Sequence, residues 1–180
     1  MSVSAAERFF ALLTLVAGAG TLLIVAMWIV PSGRAAFAAL RPASGWLAWL
    51  VAATCMAGSL YFSEHAHFEP CKLCWYQRIA MYSLVVVLLV GNLRRRRDEV
   101  AWYAVPIAGI GILISIYHYV IEWNPQLEAG SCSLTAPCTA VWFREFGFIS
   151  LSFMAMTGFA AVLALMLLIP KDTPHGEPTP

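Results

Sequence analysis

The sequence predicts an all-α membrane protein of five transmembrane helices, and three observations carry that reading. Hydrophobic residues make up 61% of the 180-residue chain and charged residues 12%, whereas a soluble domain carries about 25% charge. Uncharged apolar runs fall at about 9–30, 42–63, 79–93, 100–121 and 146–169, and four of them are long enough to cross ~30 Å of hydrocarbon as helix. The eleven lysines and arginines gather near the ends of these runs, where the polarity of the bilayer edge tolerates them. A formal net charge of +1 excludes bulk electrostatic recruitment of nucleic acid.

The first helix, about 9–30, is apolar all round, with Gly18 and Gly20 permitting close approach to a neighbour. Its length, and a basic start in which Glu7 offsets Arg8, favour a retained helix over a secretory signal cleaved at Ala36-Phe37-Ala38. The stretch 31–45, with Pro31, Gly33, Pro42 and Gly45, reads as a connection. The second helix, about 46–63, carries Ala53, Ala57 and Gly58 for tight packing, and Cys55 near mid-membrane reads as a small buried hydrophobe. The third apolar run is short. It reaches full length only as a helix over about 74–93 that opens near Cys74, with Arg78 snorkelling outward to the headgroups. The fourth helix, about 101–121, has Pro106 in its first turns, where a missing N–H does little harm. Trp142, Phe143 and Phe146 form an apolar approach to the fifth, about 146–169. Residues 1–170 thus form one integral membrane domain, and the proline-rich polar tail 171–180 reads as disordered.

Arg94 to Arg97, between the third and fourth helices, place that loop in the cytoplasm. Alternation puts Arg34, Arg41 and Lys171 on the same side, seven basic residues against Arg8, Lys72, Arg78 and Arg144 on the other. The loops after the second and fourth helices therefore face outward, and they hold four of the five cysteines.

Those cysteines form two pairs. Cys71 and Cys74 have the spacing of a dithiol that opens and closes, and equally of half a zinc site. With a helix starting near Cys74, that cysteine and Arg78 lie on one face, one turn apart. Helix-start amides and a guanidinium both favour thiolate, so Cys74 is expected to be the more acidic of the two. His65 and His67 precede the pair, but no further Cys/His cluster of zinc-finger spacing supports a metal, and they read as solvated. Cys132 and Cys138, six positions apart, can close a small ring that persists outside the cell, either as a permanent staple or as an exchanging pair. Near the outer end of the fourth helix stands Tyr117-His118-Tyr119, and His118 shares the depth of Arg78. Disulfide exchange needs a thiolate, a good leaving group and access. Electrons entering at Cys132 and Cys138 and passing to Cys71 and Cys74 then need an acceptor within the membrane. A lipid-soluble quinone fits, its carbonyl oxygens bonded by Arg78 and His118. No phosphate-binding glycine loop and no C-x-x-C-H haem site is present.

Cys71-x-x-Cys74-x-Tyr76-Gln77-Arg78 at a helix start, Tyr117-His118 at the next outward helix end, and Cys132…Pro137-Cys138 before Phe146-Gly147-Phe148-Ile149 resemble the disulfide-bond formation protein B family, and most nearly its short BdbC-like branch. The resemblance covers about 46–169. It implies a four-transmembrane-helix bundle in the bacterial cytoplasmic membrane, here with one extra N-terminal helix. It implies reoxidation of a DsbA-like, thioredoxin-fold thiol oxidase outside the membrane, with electrons delivered to ubiquinone or menaquinone. Carried over by position, Cys132 forms the mixed disulfide with the partner, Cys138 attacks Cys71, and Cys74 faces the quinone with Arg78. The loop pair is much closer together than in longer members, so the division of roles between Cys132 and Cys138 stays open. A relative of vitamin K epoxide reductase is the second enzyme reading, but there the C-x-x-C follows the loop pair rather than preceding it. A non-enzymatic scaffold or metal-binding protein, its outer cysteines staples or ligands, is the third.

Overall fold

The computed structural model describes residues 2–29, 34–128, 130, 132 and 136–169. The chain forms helices α1 (Val3–Ile29), α2 (Arg34–Leu60), α3 (Lys72–Leu93), α4 (Arg97–Trp123) and α5 (Leu151–Leu167). A wider π turn, Tyr61–His65, extends α2, and a short 3-10 turn, Pro125–Leu127, follows α4. The described residues contain no strand, only an isolated bridge between Glu145 and Ile149. Four helices are long and apolar enough to cross a membrane, and α5 is a shorter apolar helix. The all-α membrane fold stands.

Helix α3 packs between α2 and α4, and α5 closes the bundle against α4, α2 and α1. The centre is apolar and fully buried, built from Leu84, Leu88, Phe159, Val162 and Met166. Close contact between α4 and α5 depends on Gly111, where a Cβ would lie 2.4 Å from the Phe159 ring. The outward surface is apolar too: Leu22, Ile29, Trp102 and Leu113 are all more than two-thirds exposed. On a helical bundle with this composition, such a surface is solvated by hydrocarbon rather than water.

Several boundaries differ from the expected ones, each for a local reason. The described part of the stretch 31–45 is helix rather than loop, since α2 runs from Arg34 with Pro42 inside it; 31–33 lie outside the described residues. Pro106 likewise sits in the third turn of α4, not the first, because the helix already starts at Arg97. Membrane helices accommodate interior prolines because neighbouring groups re-satisfy the freed backbone. The fifth helix begins at Leu151 rather than about 146. Phe146 and Gly147 both have positive φ, and Glu145 and Ile149 exchange backbone hydrogen bonds of 2.9 Å across them. This tight turn ends in an extended Ser150, the N-cap of α5. The tail 171–180 lies outside the described residues.

Candidate active site

Helix α3 starts one residue after Cys71, which makes Cys71 itself the N-cap. Its backbone is extended (φ −70°, ψ 173°), and its sulfur accepts the Cys74 backbone N–H at 3.3 Å. Its carbonyl accepts the Trp75 N–H at 3.0 Å, beginning the helical ladder. The C-x-x-C spacing brings the two sulfurs to 2.9 Å, with both cysteines as free thiols. The acidity expected of Cys74 belongs to Cys71. A hydrogen bond from the Cys74 thiol holds Cys71 well below the ordinary thiol range, with His118 and the Cys74 backbone amide helping and burial opposing. Helix register adds a smaller part: as N-cap, the Cys71 sulfur also takes the Cys74 amide of the first turn.

Behind Cys71 lies a polar cluster carried by α4. His118 is buried, with Nε2 3.7 Å from the Cys71 sulfur and 3.1 Å from the Cys138 carbonyl. Gln77, one turn along α3 from Cys74, reaches His118 Nδ1 at 3.3 Å. An amide N–H donated to Nδ1 leaves Nε2 as the protonated nitrogen, which donates to the Cys138 carbonyl. Glu122 stands one turn beyond, with Oε1 3.8 Å from His118 Nε2, and its other oxygen accepts the Ser150 hydroxyl at 2.6 Å. The ligand atoms of Cys71, Cys74 and His118 lie within 4.8 Å of one another, one donor short of a closed tetrahedral zinc site.

Arg78 does not snorkel. It is 8% exposed and turned into the bundle, where its Nε donates to the Ser59 hydroxyl at 2.8 Å. Its Nη2 donates to the Ser59 carbonyl at 2.9 Å and to the Ser63 hydroxyl. Ser59 and Ser63 are four residues apart across the start of the π turn, so the last turns of α2 form a socket for the guanidinium. That socket offsets the cost of a cation at this depth. Five N–H donors leave this side chain, and among the described residues Nη1 bonds to nothing. Tyr82, one turn further along, also has a buried hydroxyl with no hydrogen-bond partner.

Two chambers meet at the dithiol. The larger, about 390 Å³, is bounded by α1, α2, α3 and α5, and its polar end holds Cys74, Gln77, Arg78 and Tyr82. The smaller, about 170 Å³, holds Cys71, His118 and Glu122, with Pro137 of the outer loop. Cys74 lines both; Cys71 lines only the smaller.

The six residues singled out by sequence fall into this one region. Cys132 and Cys138 form a disulfide with Cα atoms 5.8 Å apart. Cys138 is fully buried and clusters with Cys71, Leu73 and Ile121, while Cys132 and Cys74 are only partly buried at its margin. Arg78 and His118 do not share one chamber: each lines a different one, on opposite sides of the cysteine pair. His65 and His67 are exposed. Cys55 lies beside Gly158 and faces the larger chamber. Sequence reasoning gave no role to Ser59, Ser63, Gln77, Glu122 or Ser150. The signal was faint but present: two serines at i, i+4 near the outer end of an apolar helix, one helix away from a lone arginine.

A membrane-spanning helical bundle that gathers a dithiol and a disulfide around an acidified sulfur defines a class: membrane-embedded thiol–disulfide oxidoreductases. Comparison with known proteins agrees and narrows it. The profile of disulfide bond formation protein DsbB matches residues 41–169, and the chain belongs to that family, in its BdbC-like branch. A probable disulfide formation protein C of Halalkalibacterium halodurans is 45% identical over 125 residues, which is 69% of this chain and 90% of the relative. Disulfide bond formation protein C of Bacillus subtilis is 41% identical over 122 residues, 67% of this chain and 88% of the relative. No solved structure gives a significant match. The chain is accordingly a multi-pass bacterial membrane protein of disulfide-bond formation.

Proposed function

We propose that this protein reoxidises an extracytoplasmic, thioredoxin-fold thiol oxidase and passes the electrons through two cysteine pairs to a membrane quinone, ubiquinone or menaquinone. The observation that carries the reading is that Cys74 alone among the four described pair cysteines opens onto both chambers. One of these chambers is the less apolar of the two and lies beside the loop disulfide; the other is more apolar and bounded by membrane helices. The positive-inside preference of the arginine-rich turn supports a cytoplasmic position for it, and with it both pairs on the outer face.

The partner dithiol attacks the Cys132–Cys138 disulfide, forming a mixed disulfide at Cys132, the more exposed sulfur. Cys138 leaves as thiolate, and the second partner thiol releases an oxidised partner. Cys138 next attacks Cys71 of an oxidised Cys71–Cys74 pair, and Cys74 leaves as thiolate into the larger chamber. Cys132 then attacks Cys138, re-forming the loop disulfide and expelling Cys71. A thiol of low pKa makes a good leaving group, and the Cys74 amide and His118 stabilise Cys71 at this step. One disulfide has moved outward and two electrons inward, leaving Cys71 and Cys74 as the dithiol.

A quinone, when bound, accepts those two electrons with two protons as Cys71 and Cys74 close again. The larger chamber suits such a group. Its walls are mostly apolar, and the Arg78 Nη1 donors at its polar end have no hydrogen-bond partner among the described residues. His118, with Glu122 behind it, lies on the other side of the pair and is assigned to the thiolate rather than to the ring. The test is oxidation of a reduced thioredoxin-fold substrate by purified protein with a water-soluble quinone analogue. Turnover that depends on quinone supports the reading; equal turnover without it removes the acceptor.

A further inference from the structure

Helix α1 lies outside residues 41–169, the part matched by the family, yet it forms one side of the larger chamber. Phe10, Leu13, Thr14 and Ala17 line it opposite Cys74 and Arg78. These positions recur at helical spacing and continue the buried stripe of Ala6 and Ile24, while Phe9, Leu12, Leu15 and Leu22 turn outward. The stripe is apolar even where it carries hydroxyls: Thr14 and Thr21 bond back to the carbonyls of Phe10 and Ala17. The seat of α1 is specific. A Cβ at Gly58 of α2 would lie 2.8 Å from the Phe10 ring, and one at Gly18 would touch Thr157 of α5 at 3.6 Å. Phe10 also packs on Phe62, with ring centroids 5.5 Å apart, beside the π turn that holds Arg78. Without α1 the chamber would be a groove between α2 and α5 open to the lipid.

We propose that α1 is the wall that completes the acceptor site, and that its inward stripe, Phe10, Leu13, Thr14 and Ala17, sets which quinone rings the site admits. The inference rests on the function proposed above and adds a specificity element that the matched four helices do not contain. A groove open along its whole length would discriminate little among ring sizes, whereas a chamber walled on one further side by α1 must match more of the ring in shape.

The experiment measures quinone KM and kcat for the purified full-length protein with decyl-benzoquinone and with 2-methylnaphthoquinone. A quinone-free single turnover of the thiol substrate, started from oxidised protein, reports on fold and on the cysteine relay. Ala17→Trp fills the chamber from α1 and should raise the decyl-benzoquinone KM about tenfold while the single turnover is unchanged. Leu15→Trp, on the outward face, should leave both as they are. Phe10→Ala widens the chamber and should shift preference about threefold or more toward the two-ring quinone; it carries the test if Ala17→Trp fails to fold. An Ala17→Trp protein with normal single turnover and a KM within about twofold of Leu15→Trp overturns the inference, as does a Phe10→Ala protein with unchanged preference. Absence of quinone turnover in the unmodified protein overturns the proposed function itself, so the two failures are distinguishable.

Discussion

On the loop side of Cys74 the neighbours are His118, Glu122 and Ser150, buried together, with Glu122 3.8 Å from His118 and accepting the Ser150 hydroxyl. On the membrane side they are Phe10, Leu50, Met154 and Phe159, with Arg78 and Glu69 as the charged groups. The first environment stabilises a thiolate and can take or give a proton. The second is an apolar chamber with the Arg78 N–H donors at one end, which the proposed function gives to an apolar ring. On the proposed function, two sulfurs 2.9 Å apart separate chemistry that water-exposed thiols do from chemistry that a lipid-dissolved acceptor does. What the difference teaches is that the pair is a partition as well as a relay.

The largest expected effect comes from removing the residue common to both sides. Cys74→Ser should lower quinone-dependent turnover by at least about a hundredfold, measured by quinol formation, while Cys71 can still form a trapped mixed disulfide with Cys138. Preserved turnover in that variant would dissolve the partition. Next, Arg78→Ala acts on the membrane side alone. It removes charge-assisted hydrogen bonds of ~1.5–3 kcal/mol, so quinone KM should rise about tenfold to a hundredfold, with thiol exchange unaffected. Arg78→Lys should not rescue it, because a point charge cannot fill the fork set by Ser59 and Ser63.

His118→Ala acts on the loop side alone. Because the Cys71 thiol is held low, its thiolate persists as pH falls below the usual thiol range. Any stability gained from that ionisation is present above the unfolded value and lost as pH falls through the folded one. Thiolate absorbance, taken as the difference from Cys71→Ser, should titrate below the ordinary cysteine value in the unmodified protein. In His118→Ala the midpoint should move up by about one pH unit, with quinone KM unchanged. An unchanged midpoint would remove His118 from the thiolate's environment. The smallest effect is Ser63→Ala, which strips one of three bonds from Arg78. It should raise quinone KM about threefold, the size of one modest hydrogen bond.

Much of this was legible in the chain. The apolar runs gave five helices, because hydrocarbon thickness dictates run length whatever the tertiary contacts. The order of cysteines, arginine and histidine marked the site, because each needs a particular chemistry. What was hidden depends on tertiary packing or on a local turn. Snorkelling was the cheaper guess for Arg78 until α2 supplied Ser59 and Ser63. The Cys74 thiol lowers Cys71 most, and a helix start two residues earlier than expected, a shift no periodicity reports, adds the Cys74 amide. Arg78 and His118 share a depth along their helices, yet depth does not say on which side of the cysteines a side chain lies. Glu122 and Ser150 meet across a turn at Phe146-Gly147 that an apolar run disguises as helix.

The central claim is that electrons leave the Cys71–Cys74 dithiol directly for an acceptor in the apolar chamber. The most direct measurement mixes pre-reduced protein with decyl-benzoquinone in the absence of any thiol substrate and follows quinol and free thiols together. The account predicts quinol appearing as the Cys71 and Cys74 thiols disappear, and no quinol from Cys74→Ser. Quinol formed equally by that variant, or thiols that stay reduced in the unmodified protein, would contradict it.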